Sequence, residues 1–174
     1  DSVFHADGTA ANGPIALCEV QAYVYRAKRA AADVARVLGD IDQADRLVKE
    51  ADSLRERFER AFWCERLGSY ALALDGKGRP CCVRTSNAGH CLYGGIARQD
   101  RGGRTARALL REDMFSGWGI RTLATSEARY NPMSYHNGSV WPHDNAMIAA
   151  GMAAYGYKEG AIKILTGLFD ASLF

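Results

Sequence analysis

Two long stretches of helical periodicity, separated by a single glycine, constrain this chain more than anything else in it. From Ile15 to Leu38, the residues Ala16, Val20, Tyr23, Ala27, Ala30, Val34 and Leu38 recur at intervals of three and four. That spacing predicts one helix with a continuous apolar stripe. Pro14 suits its first turn, and Gly39 is a natural C-terminal stop. Asp40 or Asp42 can then cap a second helix reaching to about Trp63, with Ile41, Ala44, Leu47, Ala51, Leu54, Phe58 and Phe62 as its inner face. Its other face carries Arg, Glu and Lys at salt-bridge spacing and reads as solvated surface. The pair is a helical hairpin.

The rest of the chain repeats that plan with interruptions. "YALALDGKGRP" alternates and then meets Asp-Gly-Lys-Gly, a turn signal, so Ser69 to Arg84 is expected to form a short β-hairpin. Asn87 is expected to cap a helix from about Ala88 to Gln99, and another is expected from Arg104 to Arg111. Met114 to Pro142 is long, rich in Gly and aromatic residues, and poorly periodic; loops of that length inside a domain are usually functional. A last pair, Pro142 to Ala154 and Glu159 to Ser172, is split by "YGY", with Ala149, Ala150, Gly151 and Ala153 permitting close helix approach. Helix pairs joined in turn by a short connection and by a long, chemically loaded loop predict a toroid of helical hairpins. An ordinary helical bundle shares the same periodicities.

At 174 residues the chain suits one domain or a piece of a larger one. A chain of that size can bury roughly 70% of its unfolded surface, enough for a proper core. Its 22 basic and 20 acidic residues are mixed along the helices, which gives no electrostatic basis for a nucleic-acid or membrane-surface partner. The five cysteines, Cys18, Cys64, Cys81, Cys82 and Cys91, are odd in number and lack a C-x-x-C pair. This predicts reduced thiols in a cytoplasmic protein, with neither a disulfide framework nor a structural zinc site. No apolar run approaches the roughly 18 residues of a spanning helix, and no secretory leader is visible. The chain opens at Asp1 without a methionine and is expected to be part of something longer.

Polar residues gather where loops meet helices. Glu19 lies near the start of an otherwise apolar helix with Ala16 and Tyr23 as same-face neighbours, so it is expected to face the interior or a cleft. A carboxylate there needs partners; a plain N-terminal Glu favoured by the helix dipole is the alternative. In "FSGWGIRT", two glycines let the backbone bend tightly and present Trp118, while Arg121 can fork onto a carboxylate or a pair of hydroxyls. A buried structural Trp is equally compatible with this stretch.

The densest stretch is "YNPMSYHNGSVWPHDNAM", Tyr130 to Met147. Asn137-Gly138 forces a turn, and Trp141-Pro142 opens a helix that leaves His143, Asp144 and Asn145 in a first turn with free backbone N–H groups. The expected result is a rim of amides, imidazoles, one carboxylate and an aromatic plate, suited to the hydroxyls and C–H faces of a carbohydrate. A metal held by His136, His143 and Asp144 matches no standard spacing. Near the N-terminus, "HADG" (His5 to Gly8) reads as a turn.

On these residues the chain resembles a known family. "DSVFHADGTAANGPIALCEVQAYVYRAK", "RTSNAGHCLYGGIA", "MFSGWGIRTLA" and "YNPMSYHNGSVWPHDNAMIAAGMAAYG" are similar, in order, to the catalytic domain of glycogen-debranching-like enzymes of the amylo-alpha-1,6-glucosidase type. The resemblance implies an all-α (α/α)6 toroid of twelve helices, of which residues 1–174 supply about half within a single catalytic domain. It implies glycoside hydrolysis of an α-glucan or small α-glucoside without a cofactor or metal, by inversion with a carboxylate pair about 6.5–9.5 Å apart. It further implies a general acid in an Asp-rich segment just upstream, of which Asp1 is the second Asp, so that the acid itself is expected ahead of this chain, and a general base on a loop beyond Phe174. Asp1 and Glu19 are the candidate catalytic residues in this chain; Trp118, Arg121, His136, Asn137, Trp141 and Asp144 are the expected substrate rim. The implied partners are the carbohydrate and the remainder of the same domain. A sugar epimerase on the same toroid, pairing histidines as acid and base, and a non-catalytic carbohydrate-binding fragment stay open.

Overall fold

Asp40 accepts a hydrogen bond from the backbone N–H of Gln43 at 3.0 Å and so opens helix α2 (Ile41–Ala61). Gly39, at φ +83°, takes the left-handed conformation that ends helix α1 (Cys18–Val37). In this computed structural model, which describes residues 3–174, four further helices follow: α3 (Asn87–Tyr93), α4 (Gln99–Leu109), α5 (Pro142–Ala154) and α6 (Lys158–Ala171). Between α2 and α3 lie short strands: β2 (Trp63–Cys64) pairs with β3 (Ser69–Tyr70), and β4 (Ala73–Leu74) pairs with β5 (Pro80–Cys81) in the expected hairpin. A further strand, β1 (Ala16–Leu17), lies antiparallel to β4, with Ala16 opposite Leu74.

Helices α1, α3 and α5 pack side by side in one row, and α2, α4 and α6 back them, each against its hairpin partner. The arrangement is three hairpins of an (α/α)6 toroid. The helices pack around Phe58, Tyr70, Leu92, Ile120, Ile148 and Met152. Gly151 lets α5 close on α3: a Cβ there would sit 2.5 Å from the backbone nitrogen of Tyr93.

Several local expectations are corrected. Pro14 does not start α1; it follows Gly13 through a cis peptide, and Ala16 and Leu17 spend their backbone on β4 before the helix begins at Cys18. The expected apolar stripe of α1 is largely exposed, with Val34 at 58% and Leu38 at 78%. The small residues Ala22, Ala32 and Ala35 are buried instead, because they permit the closest approach to α2 and α3. Asn87 lies inside α3 rather than capping it, and that helix ends at Gly94-Gly95 instead of reaching Gln99, which opens α4. On the outer face of α2, Glu59 is buried: it accepts from the Tyr70 hydroxyl (2.8 Å), the Arg98 backbone N–H (2.7 Å) and the Arg101 guanidinium (2.6 Å). Cys64 and Cys82 form a disulfide, which departs from five reduced thiols and removes the basis for expecting a reducing compartment. Pairing needs only proximity in space, here across 18 positions of sequence. Among the described residues no helix is long and apolar enough to cross a membrane.

Candidate active site

The first turns of α1, α3 and α5 open at the same end of the row, where a cavity of about 440 Å³ lies between them and the loop around Tyr135 to Asn137. Helix α1 contributes Glu19 and Tyr23; α3 contributes Asn87 and His90; α5 contributes His143 and Asp144, with Trp141 just ahead of it. Phe4, Leu17, Leu72 and Leu123 add apolar wall.

Hydrogen bonds tie the three helices together around this cavity. The Asn87 side-chain amide donates to Glu19 Oε2, linking α3 to α1. The Tyr23 hydroxyl hydrogen-bonds with His90 Nδ1, and His90 Nε2 with Asp144 Oδ1, so a continuous chain of polar groups crosses all three helices. His90 and Asp144 are both buried, and Asp144 Oδ2 has no hydrogen-bond partner among the described residues. Burial, together with the charges of Glu19 and Asp144, pushes the Tyr23 phenol up to about 12, so it stays protonated at neutral pH.

The aromatic plate is held rigidly. Trp141 Nε1 donates to Ser139 Oγ at 2.9 Å and to the Tyr135 carbonyl at 3.1 Å, and the Tyr135 ring stands edge-on to the indole with centroids 4.4 Å apart. Asn145, the next polar residue of the expected rim, faces inward instead. Its Oδ1 accepts from the Ile120 N–H at 2.6 Å, and its Nδ2 donates to the carbonyls of Ile120 and Trp141, each at 3.0 Å. It thereby fastens the 115–120 turn to the start of α5.

Of the residues expected from sequence, Glu19, His136, Asn137, Trp141 and Asp144 line this cavity. Trp118 and Arg121 do not. Phe115 bridges Ile120, so Trp118 sits at the tip of a tight turn, 46% exposed and edge-on to Phe174 beside α6. Arg121 is half-buried, pairs its backbone with Val140, and its Nε has no partner among the described residues. Asp1 lies outside the described residues. Tyr23, Asn87 and His90 join the site without a sequence motif to mark them; the available signal is Asn87 and His90 three apart on one face of the short segment "NAGHCLY". Among the described residues no group of three His, Cys, Asp or Glu could hold a metal ion.

Residues 4–172 match the model of the mannosylglycerate hydrolase MGH1-like glycoside hydrolase domain. Among solved structures, the GH63 mannosylglycerate hydrolase from Thermus thermophilus in complex with glucose is 22% identical with a TM-score of 0.76, over 88% of this chain and 38% of that one. Neutral trehalase Nth1 from Saccharomyces cerevisiae is 12% identical with a TM-score of 0.78, over 88% of this chain and 30% of that one. A sialidase is 17% identical with a TM-score of 0.80, over 94% of this chain and 16% of the other. These likenesses show the fold, and the chain spans well under half the length of each of these proteins. No curated protein matches the chain.

Proposed function

This chain belongs to the mannosylglycerate hydrolase MGH1-like glycoside hydrolase family, and on that premise we propose that its cavity holds the sugar ring of a small α-glucoside cleaved by inversion. The observation that supports this most is the convergence of three helix starts, carrying Glu19, His90, Asp144 and the fixed Trp141 indole, on one hollow. Ring hydroxyls need donors and acceptors on several sides, and C–H faces need an aromatic plate; both are gathered here. The complex of a structural neighbour with glucose is in keeping with such a ligand.

In this reading Glu19, oriented by Asn87, is one candidate catalytic carboxylate, and His136, Asn137, Trp141 and Asp144 hold the sugar. Asp1, as general acid, is the other candidate within the chain, and in either case the second carboxylate of the pair belongs to the rest of the domain. One carboxylic acid protonates the leaving oxygen while a carboxylate across the ring activates water. Trp118 and Arg121 then serve the sugar only indirectly, through the turn that Asn145 fastens. The exposed apolar residues Val20, Val24 and Val34 of α1, and Ile162, Leu165 and Phe169 of α6, are proposed to be covered by the remaining hairpins of the toroid.

A second reading, release of glucose from α-1,6 branches of an α-glucan, is favoured by the motif resemblance. The test is proton NMR of reactions of the intact protein with p-nitrophenyl α-glucoside, mannosylglycerate and branched dextrin. β-Glucose appearing first from the glucoside supports the proposal; α-glucose first overturns inversion, and release of glucose from dextrin alone favours the second reading. Absence of sugar release from all three overturns hydrolysis of these substrates.

A further inference from the structure

The row Tyr23–His90–Asp144 does more than brace three helices. An ionised carboxylate can only accept hydrogen bonds, so the His90 nitrogen facing Asp144 Oδ1, Nε2, must carry a proton. In the neutral ring the other nitrogen, Nδ1, is then an acceptor, and it faces the Tyr23 hydroxyl. The one phenolic proton is spent on His90. What Tyr23 presents to the cavity is its oxygen lone pairs.

We infer that Asp144, acting through His90, fixes Tyr23 as a hydrogen-bond acceptor in the cavity wall, so that the site selects a sugar hydroxyl able to donate. The inference rests on the sugar-binding reading above and deepens it. Carboxylate, imidazole and hydroxyl in this order lock an imidazole tautomer, as in hydrolase triads; here the locked hydroxyl serves recognition. His90 is buried between its two partners, Tyr23 on one ring nitrogen and Asp144 on the other. It is a positioning residue: both of its ring nitrogens are engaged, so it acts on the ligand through Tyr23.

Two measurements on the intact protein decide the matter. First, nitrogen-15 NMR of the histidine side chains at neutral pH, assigned by comparison with His90→Leu, should show His90 protonated on Nε2 and bare on Nδ1. A proton on Nδ1, alone or together with one on Nε2, overturns the inference. Second, calorimetric binding of glucose is compared with its monodeoxy and monodeoxyfluoro analogues. Fluorine can accept weakly but cannot donate. At the ring position read by Tyr23, both analogues should bind roughly three- to tenfold more weakly than glucose, and Tyr23→Phe should erase that difference at that position alone. In His90→Leu the freed phenolic proton should restore the fluoro analogue relative to the deoxy one, whereas loss of a merely structural residue would weaken every sugar alike. A fluoro analogue that binds the unaltered protein as glucose does, at the position Tyr23→Phe identifies, overturns the inference. A protein that binds none of these sugars overturns the proposed function and the sugar clause here, while the nitrogen signals still decide whether Tyr23 is an acceptor.

Discussion

Asn87 of α3 donates its side-chain amide to Glu19 of α1, and this bond orients the carboxylate at the start of the cavity. Asn87→Ala removes the donor, leaving a partly buried carboxylate short of one partner. The expected cost is about 1–3 kcal/mol of stability and on the order of a hundredfold in kcat/KM if Glu19 acts on the sugar. Asn87→Asp should lose more activity than Asn87→Ala, because it sets a like charge against Glu19. Thermal melts and initial rates on the two variants test this; an Asn87→Ala protein with unaltered rates would sever Glu19 from the chemistry.

Trp141 and Trp118 should behave differently. Trp141→Ala should weaken sugar binding by roughly tenfold and abolish protection of the intrinsic fluorescence from a soluble quencher. Trp118→Ala should leave both the affinity and the protection in place, since that ring lies against Phe174 outside the cavity. Quenching titrations with and without glucose distinguish the two residues.

Glu59 predicts the largest single loss of stability. Its carboxylate gathers Tyr70 of β3 with Arg98 and Arg101 at the start of α4 in a buried setting. Glu59→Ala therefore deprives the Tyr70 hydroxyl and the Arg98 N–H of this partner and leaves the Arg101 guanidinium its bond to the Glu59 carbonyl. The expected loss is about 3–5 kcal/mol, read as a drop in the urea midpoint.

Asp75 predicts acid sensitivity. Burial works against its charge, but the backbone and side chain of Arg79 and the backbone N–H of Lys77 outweigh this and hold its carboxyl at about 2, below the ordinary 3.8. A carboxyl depressed in the folded state stabilises the fold above its unfolded value and loses that contribution as pH falls towards the folded one. Melting temperature should therefore decline between about pH 4 and pH 2, and Asp75→Asn should flatten that part of the profile.

The disulfide predicts a thiol count. Unfolded without reductant, the chain should expose three titratable thiols, Cys18, Cys81 and Cys91, rising to five after reduction. Removing the Cys64–Cys82 link should cost about 2–4 kcal/mol, since it closes a loop of 18 residues.

Local signals were legible where local physics decides the outcome. Asp40 beside Gly39 marks the α1–α2 turn, Asp75-Gly76 marks the β4–β5 reversal, and Pro142 starts α5 where its missing N–H is harmless. The buried face of α1 was not legible, because an inner helix of this kind makes its closest contacts through Ala22, Ala32 and Ala35 while larger aliphatics point outward. Nor was the site's polar row: Tyr23 and His90 are 67 positions apart, His90 and Asp144 54 apart. No window of sequence relates such residues until the helices are stacked. Trp118 illustrates the reverse case, a conspicuous residue carried away from the cavity by the two glycines that made it conspicuous.

Asn145 has a kinetic corollary. Two of its amide bonds tie the turn bearing Trp118 and Ile120 to the base of α5, the third reaches back to the Trp141 carbonyl, and the Trp141 indole is clamped close by. In the proposed reading, the Trp141 side of the pocket is thereby set before a sugar arrives, so association there needs little rearrangement of the indole.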